Sequence, residues 1–236
     1  MRIESLWEAV QAAADSSIAP EAGLWRMTAP HIDSRGLDDA VRRGWLTESE
    51  RTNAGRRAGP VLQSRFGARR MLRRLVVAAS LGADPSEVSV EAQCVDCGGT
   101  SHGRPHVVAP GRDAPGISTS SIEDRMVVAL GKGSIGVDIE SSGRAAGVDG
   151  RQGARAIAAW ERIAQMCPSH ATTVEVWSAL EALSKTTGRG LLASPAELDV
   201  AIAEHRLEWV PDAGDRTICV AVPAAAPILT TIDIAF

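Results

Sequence analysis

The stretch Ile135-Gly136-Val137-Asp138-Ile139-Glu140 places two carboxylates in a constrained position, and the rest of the chain is best interpreted outward from it. If it is a strand, its three β-branched residues share one face, and Asp138 and Glu140 share the other face with Gly136. Two hard oxygen donors suit Mg²⁺ with a bound phosphate, and the missing side chain of the glycine leaves room for a ligand. The same pattern is typical of an edge strand with a solvated polar face, and the stretch alone favours neither interpretation.

The composition indicates a globular protein of the cytoplasm. The chain has 236 residues, 44% of them hydrophobic, which is enough for one large domain or two small ones. No apolar run has the length of a membrane span, and the first residues lack the apolar core of a secretion signal. The net charge of -4 argues against general nucleic-acid binding. Arginines concentrated between Arg51 and Arg74 predict a local basic patch for a small anion or an acidic partner protein.

Helix and strand patterns are mixed along the chain and predict an α+β fold with helices laid on sequentially paired strands. Apolar periodicity and capping residues predict helices over residues 3–15, from Thr47, and over 60–82, 154–166 and 173–187, with a short one from Ser194. Alternation and flanking turns predict strands over residues 24–27, 88–92, 107–108, 126–130, 135–140, 206–209, 217–222 and 229–234. Gly131-Lys132-Gly133 predicts a hairpin into the central strand, and residues 141–153 predict a loop.

A second motif lies in residues 177–191, Trp-Ser-Ala-Leu-Glu-Ala-Leu-Ser-Lys-Thr-Thr-Gly-Arg-Gly-Leu. Glu181 and Lys185 are four residues apart on a predicted helix and therefore share a face, and a basic, glycine-rich turn follows them. In isolation such a pair is usually a surface ion pair that contributes about 0.3 kcal/mol. Its order and spacing after the Asp138/Glu140 stretch favour a shared site.

Together the two motifs resemble those of 4′-phosphopantetheinyl transferases of the large, monomeric, Sfp-like type. Residues 136–140 match the family's Gly-Ile/Val-Asp-Ile/Val-Glu strand, and residues 177–191 match its Trp/Phe-Ser-X-Lys-Glu-Ala/Ser-X-X-Lys helix with the Gly-Lys/Arg-Gly-Leu turn. Weaker features are also similar: His102-Gly103-Arg104-Pro105 after Cys-X-X-Cys-Gly at residues 94–98, and the helix start at residues 46–51. Arg65-Phe66 with Ala68-Arg69 resembles the family's Arg-Phe-X-X-Ala-Arg helix. The resemblance covers roughly residues 24–222.

The resemblance implies an activity and a fold. Members transfer phosphopantetheine from coenzyme A to a serine hydroxyl of an acyl, peptidyl or aryl carrier protein and release adenosine 3′,5′-bisphosphate. They use Mg²⁺, with Mn²⁺ as an alternative ion, and serve fatty acid, polyketide or nonribosomal peptide biosynthesis. The implied architecture is a monomer of two similar α+β halves related by a pseudo-twofold axis, with the active site between them. We place the boundary between residues 1–112 and 113–236.

The resemblance also implies roles for particular residues. Asp138, Glu140 and Glu181 would hold Mg²⁺ against the diphosphate, and Glu181 would also accept the proton of the carrier serine. Lys185 would bind the diphosphate and stabilise the leaving group. The residues expected to bind coenzyme A are Arg57, Arg65, Arg104, Pro105, Ser120, Ser121 and Lys185.

Two positions depart from the family pattern. Leu180 stands where a lysine usually precedes the catalytic glutamate, and Ser121 stands where a phosphate-binding histidine is usual. Each loss removes positive charge near coenzyme A, and a charge-assisted hydrogen bond is worth about 1.5 to 3 kcal/mol. An alternative function is therefore a catalytically impaired relative that binds carrier protein or coenzyme A as a partner or regulator. A third alternative is an unrelated Mg²⁺-dependent enzyme that handles phosphates without a carrier protein.

Two further sets of residues have alternative interpretations. Cys94, Cys97, His102 and His106 meet the donor requirement of a structural zinc site, whereas the resemblance assigns the Gly-Arg-Pro between the histidines to nucleotide binding. The stripe formed by Arg65, Arg69 and Arg73 is predicted to be a solvated helix face, with one or two members in contact with a ligand. The serines at 118, 120 and 121 are predicted to be structural, because no Gly-X-Ser-X-Gly elbow is present.

Overall fold

The computed structural model describes residues 2–16, 22–100, 102–141 and 159–236. Its helices are α1 (Ile3–Asp15), α2 (Ser34–Arg42), α3 (Glu48–Gly55), α4 (Pro60–Leu81), α5 (described over residues 159–166), α6 (Thr173–Thr186) and α7 (Pro195–Glu204). Its strands are β1 (Ala22–Thr28), β2 (Ser89–Gln93), β3 (Arg104–Val108), β4 (Gly116–Ile122), β5 (Arg125–Gly131), β6 (Gly136–Ser141), β7 (His205–Pro211), β8 (Arg216–Pro223) and β9 (Thr230–Ile234). Single 3₁₀ turns occupy Pro85–Glu87 and Gly190–Leu192.

The strands form three sheets, which confirms the predicted α+β class. A four-stranded sheet has the order β4-β5-β1-β9, a three-stranded sheet has the order β6-β8-β7, and β2 and β3 form a separate hairpin. All pairings are antiparallel except that of β1 with β9. Within the described residues, no helix is both long enough and apolar enough to cross a membrane.

The two larger sheets pack face to face between two groups of helices. Trp25 and Met27 of β1 point to a core shared with α1 and α4, whereas Leu24 points to a core shared with the three-stranded sheet. On the far side of that sheet, Cys219 and Ala221 of β8 pack under α6. The alternation of side chains along each strand therefore yields four layers: helices, sheet, sheet and helices.

The four-stranded sheet combines strands from both sides of the predicted boundary at residues 112 and 113. β1 pairs with β5 in an antiparallel register, Trp25 opposite Val128, and in parallel with β9, Trp25 opposite Ile232. The described core on the α4 side likewise contains residues of β4, β5 and β9. Two similar halves related by a pseudo-twofold axis stay a prediction.

Most predicted helices form with their predicted ends. The Thr47/Glu50 capping box starts α3, and the left-handed Gly82 follows the last residue of α4. α2 was not predicted, because its apolar face consists of little more than Leu37 and Ala40. The helix after Ser194 was predicted to be short, but α7 has 10 residues and about three turns. The predicted loop at 142–153 and the first five residues of the helix predicted from 154 lie outside the described residues.

The predicted hairpin between β5 and β6 is wrong. Gly131, at the end of β5, is opposite Gly116 of β4 on one side and Ala22 of β1 on the other. β6 instead pairs with β8, with Asp138 opposite Cys219. The glycine-rich turn at 131–133 carries the chain from one sheet to the other, so that β6 begins the second layer.

Candidate functional site

Strand β6 and helix α6 contact each other at Gly136. A Cβ atom at this position would lie 1.9 Å from the carbonyl oxygen of Ala182, so only glycine allows the close approach. The space beside Gly136 is therefore filled by the backbone of α6, and the expectation that it leaves room for a ligand is wrong. Asp138 and Glu140 are 2% and 5% exposed. This burial excludes the alternative of a solvated polar face.

Lys185 of α6 joins the helix to the carboxylates of β6. Its Nζ atom donates to Asp138 Oδ1 at 2.8 Å and to the carbonyl oxygen of Val137 at 2.8 Å, and it lies 3.8 Å from Glu181 Oε2. Ser120 Oγ of β4 also donates to Asp138 Oδ1, at 2.9 Å. The structure thus brings together Asp138, Glu181, Lys185 and Ser120, which the sequence analysis assigned to one site.

The pKa of Glu181 is raised to about 7. Burial is the largest cause, and the negative charges of Asp138 and Glu140 add to it, as does a hydrogen bond from the protonated carboxyl to Asp138. The positive charge of Lys185 acts in the opposite direction. We call Asp138, Glu140 and Glu181 the carboxylate cluster, because the charges of the first two raise the pKa of the third.

The donor chemistry of the carboxylate cluster suits a hard divalent cation, although its three members do not bring ligand oxygens within 4.8 Å of one another. Asp138 Oδ2 is buried and has no hydrogen-bond donor among the described residues. Asp138 and Glu181 share the single ammonium of Lys185, and Glu140 adds a further negative charge that acts on Glu181, so the cluster holds more negative charge than its nearest cation neutralises. Carboxylate oxygens are the protein ligands that Mg²⁺ prefers, and a cation there would satisfy the orphaned oxygen.

A cleft of about 1130 Å³ opens above Lys185. All the residues expected to bind coenzyme A line it, namely Arg57, Arg65, Arg104, Pro105, Ser120, Ser121 and Lys185. Further cationic side chains of the lining are Arg69, Arg70, Arg73 and Arg189, against the acidic side chains of Asp96 and Glu123. The carboxylate cluster does not line the cleft; it lies behind Lys185 and Ser120, the two lining residues that bond to Asp138.

The arginines beside the cleft are held by weak contacts. The guanidinium carbons of Arg57 and Arg70 lie 4.5 Å and 5.1 Å from the ring centroid of Phe66. Arg65 forms no ion pair with a carboxylate of the described residues, and Arg69 donates to the carbonyl oxygen of Glu123. We call these four arginines the arginine face. They are available to an anionic ligand because none is committed to a carboxylate in the part of the chain that the structure describes.

Arg73 and Arg74 differ from the arginine face although they lie on the same helix. Both are buried, and both pair with Glu50, at 3.0 Å and 3.7 Å. Burial lowers the pKa of Arg73 to about 10. The prediction of a solvated stripe is wrong for Arg73, which connects α4 to Glu50 and to the carbonyl oxygen of Val90.

The segment between β2 and β3, described over residues 94–100 and 102–103 and here called the cysteine loop, packs against the end of α6. The Arg104 guanidinium, directly after the loop, donates to the carbonyl oxygen of Thr186 at 3.3 Å, and Asp96 pairs with Arg189. Gly103 has a φ of 108°, and a Cβ there would lie 2.2 Å from the carbonyl oxygen of Gln93. The loop therefore returns on itself tightly before β3 begins.

Three potential metal ligands of the cysteine loop lie close together. The Cys94 and Cys97 sulfurs and a His102 ring nitrogen are within 4.8 Å of one another. Backbone N–H groups of Cys97 and Asp96 point at the Cys94 sulfur and lower the pKa of that thiol to about 7. The fourth predicted ligand, His106, is not part of this group; its Nε2 lies 4.0 Å from Glu91 Oε2.

The two departures from the family pattern have different positions. Leu180 is 1% exposed and packs in the core beneath α6, so its replacement of a lysine takes no charge out of the cleft. Ser121 does line the cleft. The expectation that both departures remove charge near a bound ligand therefore does not apply to Leu180, whose side chain lies on the opposite side of the helix.

Three residues of the site have contacts that the sequence does not show, although Ser118 was correctly predicted to be structural. Ser118 accepts a hydrogen bond from the backbone N–H of Val137 at 3.0 Å and so connects β4 to β6. Phe66 holds two arginines, and Arg189 connects the cysteine loop to Glu197 of α7, with Nε 2.8 Å from Oε1. Arg189 had a signal, because it stands in the basic turn after Lys185, but its partners are distant in sequence.

Comparison with known proteins gives no identification. A scan of the chain against protein-family models finds no match, and a search among curated proteins finds none either.

Proposed function

We propose that this protein transfers 4′-phosphopantetheine from coenzyme A to a serine hydroxyl of an acyl, peptidyl or aryl carrier protein. One observation carries the proposal: the Lys185 ammonium lies between Asp138 and Glu181 where a cationic cleft meets the carboxylate cluster. A cation and buried carboxylates at the end of an anion-binding cleft are the parts that phosphoryl transfer uses.

The cleft suits a large, multiply charged ligand. Its volume of about 1130 Å³ exceeds the ~300–1,000 Å³ of ordinary small-molecule pockets. Arg57, Arg65 and Arg104 line its walls, and guanidinium groups bind phosphates through paired hydrogen bonds. Coenzyme A carries a diphosphate and a 3′-phosphate, so several separate cations can each neutralise part of its charge.

The proposed reaction is a single phosphoryl transfer. The serine oxygen of the carrier forms a bond to the phosphorus that carries pantetheine, and the bond from that phosphorus to the bridging diphosphate oxygen breaks. Adenosine 3′,5′-bisphosphate leaves with the bond's electron pair. When bound, Mg²⁺ supplies charge neutralisation at the diphosphate, and Asp138, Glu140 and Glu181 are the residues that would hold it.

Glu181 is the proposed acceptor of the serine proton. A carboxyl with a pKa of about 7 can take up a proton near neutral pH, whereas an ordinary glutamate is too weak a base. Its side chain is 24% exposed, so the proton can arrive directly or through one water.

Lys185 is the proposed stabiliser of the leaving group. Its ammonium reaches from α6 across to β6 and is 26% exposed toward the cleft that it lines. When a diphosphate enters, the ammonium can exchange its bond to Asp138 for one to a phosphate oxygen, because its stem is flexible. Asp138 then becomes available to a metal ion.

The decisive experiment is intact-mass spectrometry of several apo carrier proteins incubated with this protein, coenzyme A and Mg²⁺. We expect a gain of about 340 Da, one phosphopantetheine, that needs the metal and is absent from a carrier whose acceptor serine is replaced by alanine. Retained coenzyme A binding with no gain on any carrier would favour the regulator that only binds. Phosphate release without a carrier would favour the unrelated Mg²⁺-dependent enzyme.

A further inference from the structure

We propose that Cys94, Cys97 and His102 bind one Zn²⁺ ion, which fixes the cysteine loop against the end of α6. This site is separate from the carboxylate cluster and does not depend on the proposed transfer reaction. It uses soft sulfur and imidazole donors, which select zinc, whereas the carboxylate cluster offers only hard oxygen.

The spacing of one pair of donor atoms is that of a tetrahedral site. Zinc bonds of about 2.3 Å to sulfur and about 2.05 Å to nitrogen, at a tetrahedral angle, place the two donor atoms about 3.6 Å apart. Cys97 Sγ and His102 Nε2 are 3.6 Å apart. The Cys94 sulfur lies within 4.8 Å of both, and all three residues are intermediate or exposed, so an ion can enter.

The backbone of the loop is already folded around the two sulfurs. The Gly98 N–H donates to the carbonyl oxygen of Cys94 at 2.9 Å, with Gly98 at a φ of 67°, where glycine is favoured. The Gly99 N–H also points at Cys97 Sγ, at 3.4 Å. Such outer hydrogen bonds orient metal ligands and stabilise thiolates.

The proposed site has three protein ligands, of which two are thiolates and one is an imidazole. Two thiolates neutralise Zn²⁺, and binding releases the thiol protons. Since His106 is turned toward Glu91, the fourth position is left to water. Cys94, Cys97 and His102 line the same cleft as Arg104 and Pro105, so a bound zinc ion would form part of the cleft wall beside the proposed nucleotide contacts.

The zinc ion would make the loop a rigid wall of the cleft. The loop contacts α6 and the turn after it through Asp96 with Arg189 and through Arg104 with the carbonyl oxygen of Thr186. A Cβ on Gly188 would lie 3.3 Å from Val95, so the two segments are in direct contact. An ion that fixes residues 94–102 therefore also fixes the contacts of the following arginine.

The test is metal analysis of full-length protein purified under reducing conditions without chelator, followed by Co²⁺ titration of the metal-free protein. We expect about one zinc per chain, and cobalt spectra with thiolate charge-transfer bands and intense tetrahedral bands. Cys97→Ser and His102→Asn should each weaken zinc binding by more than about 100-fold, because even outer-shell partners are worth ~10–100-fold. His106→Asn and Cys167→Ser are the matched controls and should keep full occupancy.

Three outcomes would overturn the site. If wild-type protein with reduced thiols takes up neither zinc nor cobalt, the site does not exist. This result comes from the wild-type protein, so it does not depend on whether any variant folds. Zinc retained in Cys97→Ser would place the ion elsewhere. An alkylation-resistant Cys94–Cys97 disulfide that persists with zinc under reducing conditions would make the pair a redox couple instead.

Hydrogen exchange should report slower exchange of residues 94–106 when zinc is added.

Discussion

The carboxylate cluster and the arginine face carry opposite charges beside one cleft, and they are built in different ways. The cluster lies on two elements that touch, β6 and α6, and its members on β6 are almost completely buried. The arginine face follows α4 and the segment before it, partly exposed, and two of its members rest on an aromatic ring. Burying like charges costs free energy that a proton or cation must offset, whereas hydrated arginines cost little. Changes in the carboxylate cluster should therefore affect both the proposed reaction and the stability of the protein. Changes in the arginine face should mainly affect the affinity for an anionic ligand.

The largest effect is expected from a cation placed on the core side of α6. Leu180→Lys should lower the free energy of unfolding by about 4 kcal/mol, because the ammonium would have no buried partner beneath the helix. Leu180→Met is the matched control and should cost less than about 1.5 kcal/mol. Urea unfolding measures both. Equal stability of the two variants, with tighter coenzyme A binding by the lysine variant, would place residue 180 at the cleft.

Removal of the proposed base should affect rate more than affinity. Glu181→Ala should lower phosphopantetheine transfer by at least about 100-fold while coenzyme A still binds, because proton transfer is lost and the arginine face remains. Transfer is measured by carrier mass, and binding is measured by calorimetry. Glu161→Ala, an exposed glutamate on α5, is the control. Transfer at the wild-type rate by the Glu181 variant would remove Glu181 from the mechanism.

The raised pKa of Glu181 predicts a pH dependence of stability. The contribution of the protonated carboxyl is complete below the ordinary value of 4.5 and is lost as the pH rises through about 7. Metal-free Glu181→Gln should therefore be more stable than wild type at pH 8, by on the order of 2 kcal/mol, and similar to it at pH 4.5. Urea unfolding across this range measures the difference. Mg²⁺ should reduce it at pH 8, and a difference that does not change with pH would contradict the burial of this charge.

The smallest effect is expected on the arginine face. Arg65→Met should weaken the binding of adenosine 3′,5′-bisphosphate by about 10-fold and leave unfolding unchanged, because one charge-assisted bond is lost. Arg56→Met, exposed and outside the cleft, is the control for affinity. Calorimetry and urea unfolding separate the two effects. A loss of stability in Arg65→Met equal to that in Arg73→Met would mean that the face is structural, as the pair between Arg73 and Glu50 is.

The residues of the carboxylate cluster could be predicted from the sequence because each motif is local. The alternation of β6 puts Asp138 and Glu140 on one face, and the four-residue spacing of α6 aligns Glu181 with Lys185. The buried position of Leu180 was also readable, since Leu183 lies three residues later on the same apolar face. What no local pattern gives is that α6 lies on β6, since that contact joins distant segments.

The errors have the same physical origin. A glycine-rich turn fixes a change of direction but does not choose the partner of the next strand, so β6 could not be assigned to β8, some 80 residues later. Arg73 was predicted to be solvated because Glu50, its partner, lies in another helix. The cysteine loop was recognised as a set of donors, yet the exclusion of His106 depends on the direction of β3.

The parallel pairing of β1 with β9 has a consequence for how the protein is made. β1 is translated about 200 residues before its partner, so one of its edges stays unpaired until residues 230–234 have left the ribosome. Arg26 and Asp233 then close that edge with two hydrogen bonds, at 2.8 Å and 2.7 Å. An apolar strand with an open edge can pair with other chains, so nascent chains of this protein should depend on chaperones until β9 has been synthesised.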